Sequence, residues 1–382
     1  MDRNLIDSHI HFSNHDRLNE LERYRQGIGA EKICVLSLPI KQRINFNPEI
    51  LFAKARLGAC CYGLASFDFS TLFDPQAHCA GRAGLDLPDQ VEGFRNLGFD
   101  GLKIFLGKPT FQRELGLKLT DPEVLGALKR AESLRLPALI HIADPLIFWS
   151  YESVPGFIPP GWEEAAKSGE GSGGMPSYDE LQSQALAVLR ACPDLAVVFP
   201  HLLSMAHDLS RLSDILDRFP NAYLDLAPGL YFYYELDRQR TAAREFFAHF
   251  QERILFGTDG FWFPEWFSEF PYATVEDNLH RSTQLLRFLE SEEELDNPFL
   301  PTRRIKTHVR GLGLEREILE KIFHENFAAL YSGAPRKIDL PSCLEYLDGF
   351  VDRLAAAGAG PQISKAVAEQ RQAMEVLGEV LP

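Results

Sequence analysis

The chain lacks any apolar run approaching the length of a membrane span. Its first residues, MDRNLIDSH, lack the charged-then-apolar pattern of a secretory signal. Basic residues are outnumbered, 39 Lys and Arg against 54 Asp and Glu, for a net charge of −15. Nucleic acids and anionic membranes select the opposite balance, so neither is expected as a partner. The six cysteines, Cys34, Cys60, Cys61, Cys79, Cys192 and Cys343, contain no C-x-x-C pair, and several sit in apolar runs. They read as reduced core residues of a cytoplasmic protein. No G-x-G-x-x-G follows the first apolar run, which argues against a dinucleotide fold. No internal repeat is visible.

What is present is a rhythm. Short runs rich in Val, Ile, Leu and Phe fall at 4–10, 32–38, 59–65, 101–105, 138–142, 196–200, 222–226 and 253–257. Such runs suit strands buried on both faces. Most are separated by amphipathic stretches with helix-start signals. Thr120-Asp121-Pro122-Glu123 predicts a helix with Pro in its first turn and a capping box closed by Glu123. Ser177-Tyr178-Asp179-Glu180 predicts another, and 207–219 a third, ended by Pro220-Asn221. Eight alternations predict an α/β fold, the (β/α)8 TIM barrel, ahead of an open doubly wound sheet. The Pro- and Gly-rich stretch 155–176 reads as a long loop after strand five. Residues 1–333 are expected to form the barrel. Residues 334–382 read as a helical extension, broken near 357–361, that packs on the barrel or on a partner subunit.

Polar residues gather where these runs stop. "LIDSHIHF" places Asp7, His9 and His11 at alternate positions, which a regular strand turns to one face. Lys103 lies in run four, His141 ends run five, His201 ends run six and Asp259 follows run eight in "FGTDG". A lone histidine at a strand end is ordinarily a hydrogen-bonded rim residue, and Asp after Gly-Thr can be a helix cap. Four histidines and an aspartate at equivalent ends of separate strands point instead to a metal. The remaining histidines fall in helices or loops and read as structural, with His78 alone in reach of a pocket mouth.

The H-x-H, the single histidines closing runs five and six, and the G-T-D together resemble the amidohydrolase superfamily, closest to its amidohydrolase-2 branch of metal-dependent hydrolases and decarboxylases. "IFHENFAALY" at 322–331 is similar to that branch's closing N-A-x-R-L helix, with Phe and Ala in place of Ala and Arg. The resemblance spans about Leu5 to Ser332. It departs after His201, where the family often has glycines and this chain has Leu202-Leu203. It departs again after Asp259, where Gly260-Phe261-Trp262 stands in place of a nearby Pro.

Three imidazoles and a carboxylate, His9, His11, His141 and Asp259, suit one divalent ion, Zn²⁺ first and Mn²⁺ second, with a position open for water. Asp259 is the candidate general base, and His201 orients water or substrate. A two-metal site, implied by other members of the superfamily, would bridge the ions with a carboxylated Lys103. Otherwise Lys103 contacts substrate or pairs with Asp7 or another buried carboxylate. Asp7 is expected to hydrogen-bond within the barrel, an orienter of a ligating imidazole being one role open to it. The aromatic loops carrying Trp149, Tyr231 and Trp262 read as pocket walls or as a homodimer interface. Arg43, with Lys108 and Arg113, is placed to hold a substrate carboxylate or else is solvated. The expected function is hydrolysis of a C–O or C–N bond (lactone, ester or amide) of a small ring-containing acid. The alternative is metal-dependent non-oxidative decarboxylation of an aromatic or unsaturated acid.

Overall fold

The computed structural model describes residues 4–40, 44–69, 72, 86–149, 174–229, 231–263, 273–296, 308–356 and 361–380. Arg43, His78, Cys79 and most of the 155–176 loop lie outside the described residues. Each of the eight apolar runs forms a strand. They are β1 (Ile6–Phe12), β2 (Lys32–Leu36), β3 (Cys61–Ala65), β4 (Gly101–Gly107), β5 (Ala138–Ile142), β6 (Val197–Phe199), β7 (Ala222–Asp225) and β8 (Ile254–Leu255). A ninth short strand, β9 (Gly260–Trp262), follows at once. All run parallel, and β1 through β8 pair in sequence order.

The barrel closes through one segment broken by a kink. β8 pairs with β7, while β9 pairs with β1 from Ile10–Gly260 to Phe12–Trp262. Between them the Ser8 N–H donates to the Phe256 carbonyl and the Asp259 N–H donates to the His9 carbonyl, both at 2.9 Å. The kink falls at Asp259, whose φ of 54° is left-handed. This is the TIM barrel expected from the alternation of runs.

Inside the barrel Ile6, Leu36, Leu64, Leu139, Val198 and Leu255 form the lower layer, and Phe327 and Tyr331 plug the bottom. The larger apolar cluster lies between the strands and the surrounding helices. The second helix after strand four begins at Pro122, with Asp121 at its N-cap position and no side-chain capping bond, so the expected box with Glu123 does not form. Ser177 does cap the helix Tyr178–Ala191, accepting from the Glu180 N–H at 3.1 Å. The C-terminal helices Leu340–Ala356 and Pro361–Val380 place Cys343, Leu347, Val367 and Met374 in the main core. Gln370 donates to buried Glu49 at 2.9 Å. Among the described residues no helix is long and apolar enough to cross a membrane.

Candidate metal centre

A bulge in β1 decides which residues reach the barrel axis. The β1–β2 register shifts between Asp7 and Ile10, and the shift reverses the facing of side chains. Asp7 therefore does not share a face with His9 and His11, contrary to the simple alternation. It points outward, where Tyr24 and Thr258 donate hydroxyl hydrogens at 2.9 and 2.6 Å. Its other oxygen accepts the backbone N–H groups of His9 and Thr258. Burial pushes the Asp7 carboxyl up to about 7 against these bonds.

Inside, three donor atoms converge. His9 Nε2 lies 3.1 Å from His11 Nε2 and 3.4 Å from Asp259 Oδ1. His11 Nε2 lies 3.1 Å from the same carboxylate oxygen. His9, His11 and Asp259 thus form a group that can hold a metal ion. Donors bound about 2.0–2.1 Å from one tetrahedral ion stand roughly 3.4 Å apart, so the spacing fits.

The protonation pattern fits as well. His9 Nδ1–H donates to Asp225 Oδ2 at 2.7 Å, which leaves Nε2 with a bare lone pair. That lone pair and the Asp259 carboxylate are both acceptors facing one spot, and His11 Nδ1 is buried without a partner. Burial, with Lys103 nearby, lowers the His9 pKa well below its usual value, and burial lowers His11. Burial alone would raise Asp259, but the His11 hydrogen bond and the surrounding imidazoles hold it far below the usual carboxylate range. Imidazoles that give up a proton easily beside a carboxylate that stays ionised are what a divalent ion requires.

Asp225, at the end of β7, ties the site together. Besides holding His9, it accepts the backbone N–H groups of His201 and Ala227 at 3.2 and 2.9 Å. Burial raises its pKa. The sequence reading passed over it, although "YLDLA" ends an apolar run with an acid as plainly as runs five and six end with histidines.

His141 stands outside the close group. It is buried, its ring 5.3 Å from that of His201, and its Nε2 has no hydrogen-bond partner. Burial, with Lys108 second, lowers its pKa well below the ordinary value. His201 Nδ1–H donates to the Ala227 carbonyl at 2.7 Å. Lys103 is buried near the axis with its ammonium 3.4 Å from His9 Nε2 and does not pair with Asp7. Burial brings its pKa down to about 8.

Above these groups opens a cavity of about 830 Å³, with His11, His141, His201 and Asp259 in its wall. Phe105 adds aromatic surface, and so do Phe148, Tyr231, Phe261 and Phe263, which come from the three loops read as aromatic walls. Trp262 does not join them. Its ring is fully buried against Tyr24, with centroids 4.9 Å apart. Trp149 is likewise buried, donating to the Pro176 carbonyl and packing on Tyr178. Neither lines the cavity. Arg113 is exposed and away from it, whereas Lys108 lines it in an ion pair with Asp144. His207, read from sequence as structural, is also in the wall.

The family model described as Amidohydrolase matches residues 81–333, about two-thirds of the chain. The match begins after His9 and His11, which the barrel itself brings against the matched part. No curated protein matches in sequence. Among solved structures, the chain is similar to an uncharacterised TIM-barrel protein from Bordetella bronchiseptica, with 14% identity and a TM-score of 0.51 over 86% of this chain and 99% of that one. It is also similar to 2,6-dihydroxybenzoate decarboxylase from Rhizobium, with 14% identity and a TM-score of 0.50 over 86% and 98%. At such identities the likeness shows the fold, and it is the family match, agreeing with the His-His-Asp group at the barrel mouth, that identifies this chain as an enzyme of the amidohydrolase family.

Proposed function

We propose that the protein is a metal-dependent hydrolase that cleaves a C–O or C–N bond of a small ring-containing substrate. The observation that carries this reading is the convergence of His9, His11 and Asp259 donor atoms within 3.1–3.4 Å at the wall of the cavity. His141 is the fourth candidate ligand, through its unpartnered Nε2. A zinc or manganese ion held there would make a bound water more acidic and polarise the substrate carbonyl.

The protein's own groups supply the rest. Asp225 keeps the His9 proton on Nδ1 and so keeps Nε2 available as a donor. The ionised Asp259 carboxylate accepts the proton released as water oxygen bonds to the carbonyl carbon. When the C–O or C–N bond breaks, that proton passes to the leaving group. His201, with Nδ1–H fixed on Ala227, offers its other ring nitrogen to orient water or substrate. The free, mostly buried thiols among the described cysteines support a reducing, cytoplasmic setting.

Decarboxylation is the second reading, favoured by the aromatic wall of Phe105, Phe261 and Phe263 and by the activity named for the Rhizobium decarboxylase on this fold. Besides the metal it needs a cationic clamp to hold a carboxylate and a proton donor for the carbon that loses CO₂. Among the described residues the cavity-lining cations Lys108 and Arg238 are each paired with a carboxylate, Asp144 and Glu235, so hydrolysis is preferred.

Elemental analysis of protein purified without chelator or His-tag tests the metal, with His9→Ala beside it. About one zinc or manganese per chain, lost in the variant, is expected. Absence of metal after incubation with metal salts would refute the reading. Lactone, ester and amide panels followed by acid release, set against panels of aromatic acids followed by CO₂, then separate the two reactions.

A further inference from the structure

Two interruptions in the strands shape the metal centre. β1 carries a bulge between Asp7 and Ile10, and the kink at Asp259 separates β8 from β9. His9 and His11 lie on one side of that junction and Asp259 on the other. The spacing of their donor atoms therefore depends on how β1 sits against the segment 256–259. The two are pressed together, since a Cβ on Gly257 would stand 2.9 Å from that of His9.

Asp7 is buried at this junction and bonded to both sides of it. Its Oδ1 accepts the backbone N–H of His9 at 3.2 Å and that of Thr258 at 3.1 Å. The first of these residues supplies a ligand, and the second immediately precedes one. Oδ2 accepts the Thr258 hydroxyl at 2.6 Å and the Tyr24 hydroxyl at 2.9 Å. The Thr258 hydroxyl oxygen in turn accepts the Gly260 N–H, across the kink, at 3.3 Å. The Tyr24 oxygen lies 2.6 Å from the Ser282 hydroxyl. Tyr24 belongs to the helix Leu18–Gly27 and Ser282 to the helix Val275–Glu290, so the network ties the junction to the helix layer. Groups that orient ligands affect metal affinity without touching the ion.

We propose that Asp7 is a positioning residue of the metal centre. It clamps the bulge of β1 to the kink before β9 and so sets the distance of His9 and His11 from Asp259. It acts through the backbone and touches neither metal nor substrate. This rests on the reading of the His-His-Asp group as a metal centre.

Asp7→Ala and Asp7→Asn separate the clamp from the charge. The asparagine oxygen still accepts the two backbone N–H groups, while its NH₂ donates to the Tyr24 and Thr258 hydroxyl oxygens. Zinc affinity is read on the full chain by competition with a chromophoric chelator, beside the absorption spectrum of the cobalt-loaded protein. Asp7→Ala should bind zinc about tenfold more weakly and alter the cobalt spectrum, and Asp7→Asn should stay within about threefold of the parent. Thr258→Val removes one bond to Asp7 and the acceptor of the Gly260 N–H. It should weaken zinc about fivefold, and it reads the same junction if the alanine variant does not fold. Zinc affinity within about twofold of the parent, with an unchanged cobalt spectrum, in Asp7→Ala (or in Thr258→Val if the former does not fold) would overturn the proposal. So would an asparagine variant as weak as the alanine one.

Amide exchange on the metal-free protein reads the junction without a metal. In the same variant the Asp259 N–H, which donates to the His9 carbonyl, should exchange about tenfold faster relative to the amides of β6. Uniform acceleration would mean that Asp7 serves stability alone. A parent that takes up neither zinc nor cobalt refutes the metal centre, and the exchange result then decides the clamp separately.

Discussion

Asp225→Asn isolates the role of one carboxylate. In the parent, Asp225 Oδ2 accepts from His9 Nδ1–H at 2.7 Å while Oδ1 accepts the backbone N–H groups of His201 and Ala227. An asparagine keeps its single oxygen on the two backbone donors, since turning it away would strand both. Its NH₂ then faces His9 Nδ1, which must become the acceptor. The His9 proton moves to Nε2 and points into the donor group, where His11 Nε2 and Asp259 Oδ1 stand 3.1 and 3.4 Å away. A protonated Nε2 cannot ligate. Outer partners of this kind are worth about 10- to 100-fold in metal affinity, or roughly 1.4–2.7 kcal/mol. Stability without metal should change by less than about 1 kcal/mol, because burial raises the Asp225 pKa and an amide is easier to bury than an ion. Zinc affinity is measured by competition with a chromophoric chelator, and the His9 tautomer by ¹⁵N NMR of the ring. Parent-like zinc affinity together with a shifted tautomer would refute the assignment of His9 Nε2 as a ligand.

Glu49→Gln should stabilise the protein only at higher pH. Burial raises the Glu49 pKa from 4.5 to about 7, so between those values the folded chain keeps a proton the unfolded chain has released. Parent stability falls across that window, by up to about 3 kcal/mol above pH 7, and glutamine avoids the loss while still accepting from Gln370. Urea melts at pH 4 and pH 8 check this, and an equal difference at both would refute it. Leu203→Gly should be more stable than Leu203→Ala by about 1 kcal/mol, reversing the usual order, because φ is 56° there. Chemical denaturation of the two variants reads the sign directly. Gly107→Ala should cost about 3 kcal/mol, since its Cβ would meet the His141 carbonyl and backbone cannot yield cheaply. Zinc affinity should fall with it if His141 is a ligand, and a calorimetric melt with the chelator assay tests both parts.

The barrel was legible because parallel strands buried on both faces must be apolar throughout, and eight such runs leave few alternatives. His9, His11 and Asp259 were legible because polar side chains that interrupt those runs at equivalent ends need a shared reason. Facing was less so. Asp7 sits two residues from His9, yet a bulge sends it to the helix layer, and nothing in "LIDSHIHF" marks the extra residue. Trp149 and Trp262 follow strands, as cavity residues do, but the same rings fill the space between strands and helices equally well. Asp144 was hidden for another reason. Its position depends on a left-handed Ala143 that no local turn signal announces.

The strained residues explain how one ring of strand ends gathers so many polar side chains. Ala143 follows strand five, the run His201 to Ser204 follows strand six, and Asp259 interrupts strand eight, all with φ between 51° and 59°. In each case a regular strand would carry the chain straight on, and the left-handed turn folds it back over the barrel mouth. The turn after strand six is secured from several sides. The Ser204 hydroxyl donates to the Ile142 carbonyl, Gln182 donates to the Leu203 carbonyl and Tyr178 donates to that of Ser204. Glycine adopts this conformation without penalty, and the related family often has glycines after the strand-six histidine. Here Leu202 and Leu203 take it instead, both fully buried. Each left-handed non-glycine residue costs roughly 1–2 kcal/mol, while burying a leucine side chain returns about 1.5–3 kcal/mol. Packing therefore outweighs strain at these two positions, and the turn can dispense with glycine because its leucines anchor it in the core.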